Sequence, residues 1–133
     1  MATTTASITF NTSEFTGGGI IRQTTNLNKA GTSTGLDQFT GVSRVVVDAA
    51  TNDLVIAAAS DYADNQAGKI YIKNSTVGSD VSTYVLVEVG SNVIVGRLYN
   101  QDWLFIPYDG TEDIKVSTSA ANMTYEFAIF HEG

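Results

Sequence analysis

Few residues in this chain are of a type that does chemistry, and they are scattered. His131 is the sole histidine and stands third from the carboxyl end. A Ser–His–Asp relay needs an imidazole oriented between nucleophile and carboxylate, and a histidine-rich metal site needs several imidazoles. One terminal histidine supplies neither. With no cysteine in the chain, a thiolate zinc site, an iron–sulfur cluster, a disulfide framework and a cysteine nucleophile are all excluded. Gly17-Gly18-Gly19 is as glycine-rich as a phosphate loop. The lysine–serine or lysine–threonine pair that would grip a phosphate is missing, and no helix start follows, so the triplet reads as a turn.

Carboxylates offer two further possibilities. Asp61, Asp64 and Asn65 fall in one polar stretch, and Asp109, Glu112 and Asp113 in another; oxygen-rich loops of this kind suit hard cations. Neither has the twelve-residue EF-hand spacing, and Asp and Asn are also the ordinary residues of turns, so no metal is expected. Glycoside hydrolysis would need a carboxylate pair drawn from Glu88, Asp102, Asp109 and Glu126, and nothing in their spacing pairs them. Trp103, Tyr62, Tyr99 and Tyr108 lie near expected loops, where exposed rings would make a sugar platform; Trp103 in the core with tyrosines anchoring strand ends is the simpler arrangement. Asn11-Thr12-Ser13, Asn74-Ser75-Thr76 and Asn122-Met123-Thr124 match the glycosylation triplet, coincidentally in so Thr- and Asn-rich a chain.

The elements that carry these residues read as strands. Arg44-Val45-Val46-Val47 and Leu54-Val55-Ile56-Ala57 are β-branched runs separated by turn formers, predicting two strands joined by a hairpin or short loop. Lys69-Ile70-Tyr71-Ile72-Lys73-Asn74 alternates, with Ile70 and Ile72 on one face and Tyr71 and Lys73 on the other. Tyr84-Val85-Leu86-Val87-Glu88-Val89 and Val93-Ile94-Val95-Gly96-Arg97-Leu98 flank Gly90-Ser91-Asn92, which predicts a tight hairpin. Trp103-Leu104-Phe105-Ile106-Pro107 should end at its proline or lie at a sheet edge, because proline donates no ladder bond. Ile114-Lys115-Val116 follows, and in Tyr125-Glu126-Phe127-Ala128-Ile129-Phe130 the residues Tyr125, Phe127 and Ile129 share a face. No run of ten or more residues reads as a helix. Strands of about five residues punctuated by regular turns predict an all-β protein, an antiparallel β-sandwich or jelly-roll-like barrel.

Composition divides the chain. Residues 42–133 hold the dense alternating pattern and are expected to form the sandwich core domain. Residues 1–41 are rich in Thr, Ser, Asn and Gly, with short strands at Ile8-Thr9-Phe10 and Ile20-Ile21-Arg22-Gln23-Thr24, and predict an extended amino-terminal arm that packs on a neighbour as readily as on its own domain. The apolar residues of that arm, Ile20, Ile21, Leu27 and Phe39, together with Trp103 and Tyr108, are the expected interface residues. The chain's 133 residues are one domain's worth. Seven basic against fourteen acidic side chains give a net charge of −7. Such a chain repels phosphate backbones and argues against nucleic-acid binding. No apolar run reaches the roughly 20 residues that span a bilayer, and residues 1–10 lack the basic and apolar regions of a signal peptide. Charged residues make up only 16% of the chain, below the usual quarter. Neutral hydroxyls and amides suit contact with other surfaces better than acid–base chemistry.

From residue 96 onward the chain, GRLYNQDWLFIPYDGTEDIKVSTSAANMTYEFAIFHEG, resembles the carboxyl-terminal part of small structural proteins of tailed bacteriophages. In that pattern an arginine–leucine strand leads to an Asp-Trp turn, a Phe-Ile-Pro strand, a polar turn and a final aromatic strand. The matching residues here are Arg97, Leu98, Asp102, Trp103, Phe105, Ile106, Pro107, Tyr125, Glu126, Ile129 and Phe130, and with Lys69 to Asn74 the likeness spans about half the chain. Residues 1–41 depart from it. The resemblance implies a β-sandwich virion component without enzyme activity or cofactor: a capsid decoration (cement) protein on the capsid exterior, assembled with itself as a homotrimer and with the major capsid protein. A tail, fibre or baseplate subunit and a carbohydrate-binding adhesion module are the alternatives.

Overall fold

A computed structural model describes residues 3–12, 17, 19–78 and 80–133. Eleven strands form: β1 (Thr5–Asn11), β2 (Ile20–Asn26), β3 (Gln38–Phe39), β4 (Ser43–Val47), β5 (Thr51–Ala57), β6 (Gly68–Asn74), β7 (Val85–Val89), β8 (Val93–Leu98), β9 (Trp103–Tyr108), β10 (Ile114–Thr118) and β11 (Met123–His131), with one short 3-10 turn at Ala59–Asp61. All pairings are antiparallel. One sheet runs β4-β11-β6-β9, with β3 on β11 beyond β4, and the other runs β5-β10-β7-β8. Counted from β4, the eight strands are ordered first-eighth-third-sixth and second-seventh-fourth-fifth. That is the winding of a jelly roll, two Greek keys folded face to face, and it bears out the all-β sandwich expectation.

Period-two alternation drives the assembly. In β6, buried Gly68, Ile70, Ile72 and Asn74 alternate with half-buried Lys69, Tyr71 and Lys73. Ile70 and Ile72 meet Met123, Tyr125 and Ile129 of β11 on the inner face, opposite Val85, Val87, Ile114 and Val116 of the second sheet. At roughly 25 cal/mol per Å² of apolar area, each of these side chains contributes about 1.5–3 kcal/mol on burial. The β7–β8 hairpin turns where expected, with Gly90 and Asn92 at φ +60° and +65°. Pro107 lies in β9, which pairs only with β6 and is a sheet edge, although the strand continues one residue beyond the proline.

Of the two connections expected after β4, the short loop is the one that forms. β4 and β5 are joined by a short loop but make no hairpin: β4 pairs β11 and β5 pairs β10, so the chain turns a corner from one sheet to the other. Turn formers at residues 48–53 permit either outcome. Partner choice is decided by the buried faces of β10 and β11, which lie far along the chain.

The two sheets are pinned at one end by Asn74, which is fully buried. Its amide donates to the Leu98 carbonyl of the opposite sheet at 2.9 Å, and its Oδ1 accepts from Thr76 N at 3.1 Å. Its backbone also brackets the turn before β9, through Asn74 N to Asp102 O and Gln101 N to Asn74 O. A glycan on Asn74 is incompatible with this fold.

The amino-terminal region is a ribbon followed by a stitched loop. β1 and β2 pair with each other along their whole length, Thr5 opposite Asn26 and Asn11 opposite Ile20, and are longer than their apolar runs suggested. Residues 27–37 then fold compactly rather than extend. Leu27 and Leu36 are buried; Leu36 N donates to Leu27 O, Leu27 N to Thr4 O, and Thr4 Oγ1 to Leu36 O. Lys29 and Asp37 form an ion pair of 2.5 Å, Gly133 N donates to Asp37 Oδ1, and Ala30 N donates to Glu132 Oε2, which ties the loop to the carboxyl end.

Candidate functional site

The side chains of one outer sheet face are aromatic where a solvated face would be polar. On the β4-β11-β6-β9 sheet, Tyr71 of β6 lies opposite Phe105 of β9 and Ala128 of β11, and Phe130 lies opposite Phe39. The Phe39 and Phe130 rings stack at 4.6 Å, and Phe105 meets Phe130 edge-on at 6.2 Å. These rings bury Ala128 although it points outward. Tyr71 Oη donates to Glu126 Oε1 at 3.1 Å; burial first, and then that carboxylate, push the phenol pKa above its ordinary value.

The β1–β2 ribbon leans over this face. Between them lies a cleft of about 660 Å³ lined by Ala6, Ile8, Gln23 and Thr25 of the ribbon and by Tyr71, Lys73, Trp103 and Phe105 of the sheet. A smaller hollow of about 350 Å³ continues past Trp103 to Phe10 and Gln101. Trp103, 48% exposed, is the rim between them. The lining is mainly apolar, with amide, hydroxyl and ammonium groups at the edge. Such a surface can bury apolar side chains or stack flat rings; it has no nucleophile paired with a base.

Outside the cleft, β2 is exposed along its entire length, and Phe10, Ile20 and Ile21 are about half exposed. Two-stranded ribbons are marginal in water on their own. This one gains little from its own body beyond the cleft and the Leu27–Leu36 anchor.

The expected interface residues therefore divide. Ile20 and Ile21 lie on the ribbon, Phe39 on the short β3 and Trp103 on the cleft rim, all exposed by about half. Leu27 and Tyr108, 4% and 6% exposed, are turned into the chain's own interior and offer a neighbour no surface. The tyrosines do not gather with Trp103 into one platform: Tyr62 packs edge-on against Tyr108 at 5.7 Å, while Tyr99 lies beside Tyr84 at 5.6 Å with the Arg97 guanidinium over the Tyr84 ring. His131 is half-buried at the end of β11, edge-on to Tyr62 at 5.0 Å, rather than free at an exposed terminus.

The two acidic loops serve as turns. Asp109 Oδ1 accepts from Thr111 N and Oγ1, which holds its carboxyl below the usual range, and Asp113 Oδ1 accepts from Ala59 N. Among the described residues no three His, Cys, Asp or Glu side chains gather as a metal site. Glu88 and Glu126 project from opposite sheets and Asp102 and Asp109 flank the two ends of β9, so those four carboxylates form no hydrolytic pair. Gly18, in the middle of the triglycine, and Ser13, in the first glycosylation triplet, lie outside the described residues; Gly17 has φ +74°, as a turn requires. Tyr71, Phe105 and Phe130 build the aromatic face although none is among the expected interface residues. Their signal was the alternation that put them opposite the core residues of their own strands.

No family model, curated protein or solved structure matches this chain.

Proposed function

We propose that this chain is a non-enzymatic virion structural protein of the capsid decoration type, which assembles with itself as a trimer and bridges subunits of the major capsid protein on the head exterior. The observation that carries the reading is the β1–β2 ribbon, in which Phe10, Ile20 and Ile21 are about half exposed and the second strand is exposed throughout. An element of that kind is stabilised by the surface it docks on. The sequence likeness to phage structural proteins supports the same reading, and so does the jelly roll, an architecture used by capsid proteins. Clamping of many sites by modest interfaces on a closed shell resists internal pressure through avidity. The net charge of −7 keeps the protein off packaged DNA.

The test is binding of purified protein to decoration-free capsids. The full chain should saturate the shell at a fixed copy number and raise its resistance to heat, and a variant lacking residues 1–26 should fold but fail to bind. No binding by the full chain, or equal binding by the truncated one, overturns the proposal. A few copies per particle would point to a tail or fibre subunit. The cleft beside Trp103 favours a second reading, a carbohydrate-binding adhesion module, which predicts glycan-array binding abolished by Trp103→Ala.

A further inference from the structure

The outer face of the other sheet holds a second feature, unrelated to the ribbon. Asp53 of β5 and Glu88 of β7 flank β10 and converge on one another across it. Asp53 N is held by Ser117 Oγ at 3.0 Å. Glu88 is 8% exposed, and its Oε2 is buried with no hydrogen-bond partner. Both line a hollow of about 360 Å³ whose wall is mostly polar, with Asn52, Asn92 and Ser117 contributing amide and hydroxyl oxygens.

We propose that this hollow is a binding site for a hard divalent cation, calcium above all, with the Asp53 and Glu88 carboxylates as anionic ligands and Asn52, Asn92 and Ser117 as neutral oxygen donors. The physical case begins with the orphaned oxygen. A carboxylate oxygen removed from water without a partner is expensive, and here a second carboxylate faces it. Lys115 is the register partner of Glu88 on β10 but forms no ion pair with it; among the described residues the one ion pair is Lys29–Asp37. Arg97 of β8, the other cation on this face, lies over the Tyr84 ring, 4.4 Å from its centroid. The charge of the pair is therefore left without a counter-ion in contact.

Two species could relieve it, a proton or a metal ion. Burial, and then Asp53, raise the Glu88 pKa against a weaker opposing pull from Lys115, which is the direction expected of a site that wants positive charge. A shared proton satisfies one oxygen. A calcium ion takes six to eight oxygens at about 2.3–2.6 Å, from carboxylates, amides, hydroxyls and water alike, and so uses the whole wall of the hollow. A site with only two anionic ligands corresponds to affinities of about 10⁻⁴–10⁻³ M, the range of extracellular calcium modules.

The experiment uses the full chain and calcium itself. In about 5 mM CaCl₂ at neutral pH the melting temperature should rise by about 3–10 °C over that in chelator. NaCl at matched ionic strength should not reproduce the rise. Asp53→Asn and Glu88→Gln keep side-chain volume and a hydrogen bond across the pair, so both should fold and both should lose the response. Terbium, a calcium stand-in, should luminesce by energy transfer from Tyr84 at the rim of the hollow, and calcium should displace it. An absent calcium shift, or one retained in both variants or matched by NaCl, overturns the site. If melting instead rises only on acidification, and Glu88→Gln removes that rise, the pair holds a proton and the cation proposal fails. None of these outcomes depends on the role in a virion.

Discussion

Replacing Asn74 with alanine tests how the two sheets are locked together. The Asn74 amide is the hydrogen-bond donor to the Leu98 carbonyl in the opposite sheet, and its Oδ1 accepts from Thr76 N. Alanine leaves the buried carbonyl without that donor, at a cost of about 1–3 kcal/mol, and returns the half-buried Thr76 N–H to water at a cost of about 0.5–1 kcal/mol. The space vacated by the amide adds a smaller cavity term. The sum is about 2–4 kcal/mol, which for a domain of this size lowers the melting temperature by about 8–15 °C. Asn74→Asp should be worse at neutral pH, since the carboxylate cannot donate to Leu98 and is charged at a fully buried position. Acidification should recover part of the loss, because a protonated carboxyl donates again. Urea unfolding followed by the fluorescence of Trp103, the sole tryptophan, suits this test, because Asn74 also brackets the turn that leads into β9. Val77→Ala, at a position 86% exposed, serves as the control and should stay within about 0.5 kcal/mol of the parent. If Asn74→Ala also stays within that margin, or Asn74→Asp is no worse than alanine at neutral pH, the inter-sheet bond is not what pins this end of the sandwich.

Other outcomes follow from the same structure. The Tyr108 hydroxyl is buried without a partner, and burial, with the nearby Tyr62 and acidic side chains, raises its pKa to about 12. The unfolded chain releases that proton near pH 10, so stability is unaffected below pH 10 and falls between about pH 10 and 12; Tyr108→Phe should flatten this alkaline limb in a urea-midpoint series while changing neutral-pH stability by no more than about 1 kcal/mol. Gly110 has φ +83°, and a Cβ there would run into the Ala63 carbonyl, so Gly110→Ala should cost about 2–4 kcal/mol by calorimetry. Ile72→Ala, in the centre of the core, should cost about 2–5 kcal/mol.

Much of the sandwich was legible because alternation is a local property. Ile70 and Ile72 against Tyr71 and Lys73, the Gly90-Ser91-Asn92 turn and the edge placement of Pro107 all follow from residues within one strand or one turn. The aromatic cleft was legible only in part. Alternation puts Tyr71, Phe105 and Phe130 on outward faces, but whether an outward ring is solvated, stacked or roofed depends on a ribbon that ends at Asn26, far earlier in the chain. Tyr108 misled for the complementary reason: a ring beside a loop reads as accessible until Tyr62 closes over it.

The sequence by itself determined the class of secondary structure, the faces of the strands, the lack of a histidine or cysteine centre, and the sign of the surface charge, because each depends on residue identity and near neighbours. Tertiary structure alone decided which strands became partners. It sent β4 and β5 to different sheets and set Asn74 beneath Leu98. It also laid the ribbon across Trp103 and drew Asp53 and Glu88 together from positions 35 residues apart. Contacts of that kind are fixed by the burial of whole faces, a global balance of apolar area and chain closure that no local pattern encodes.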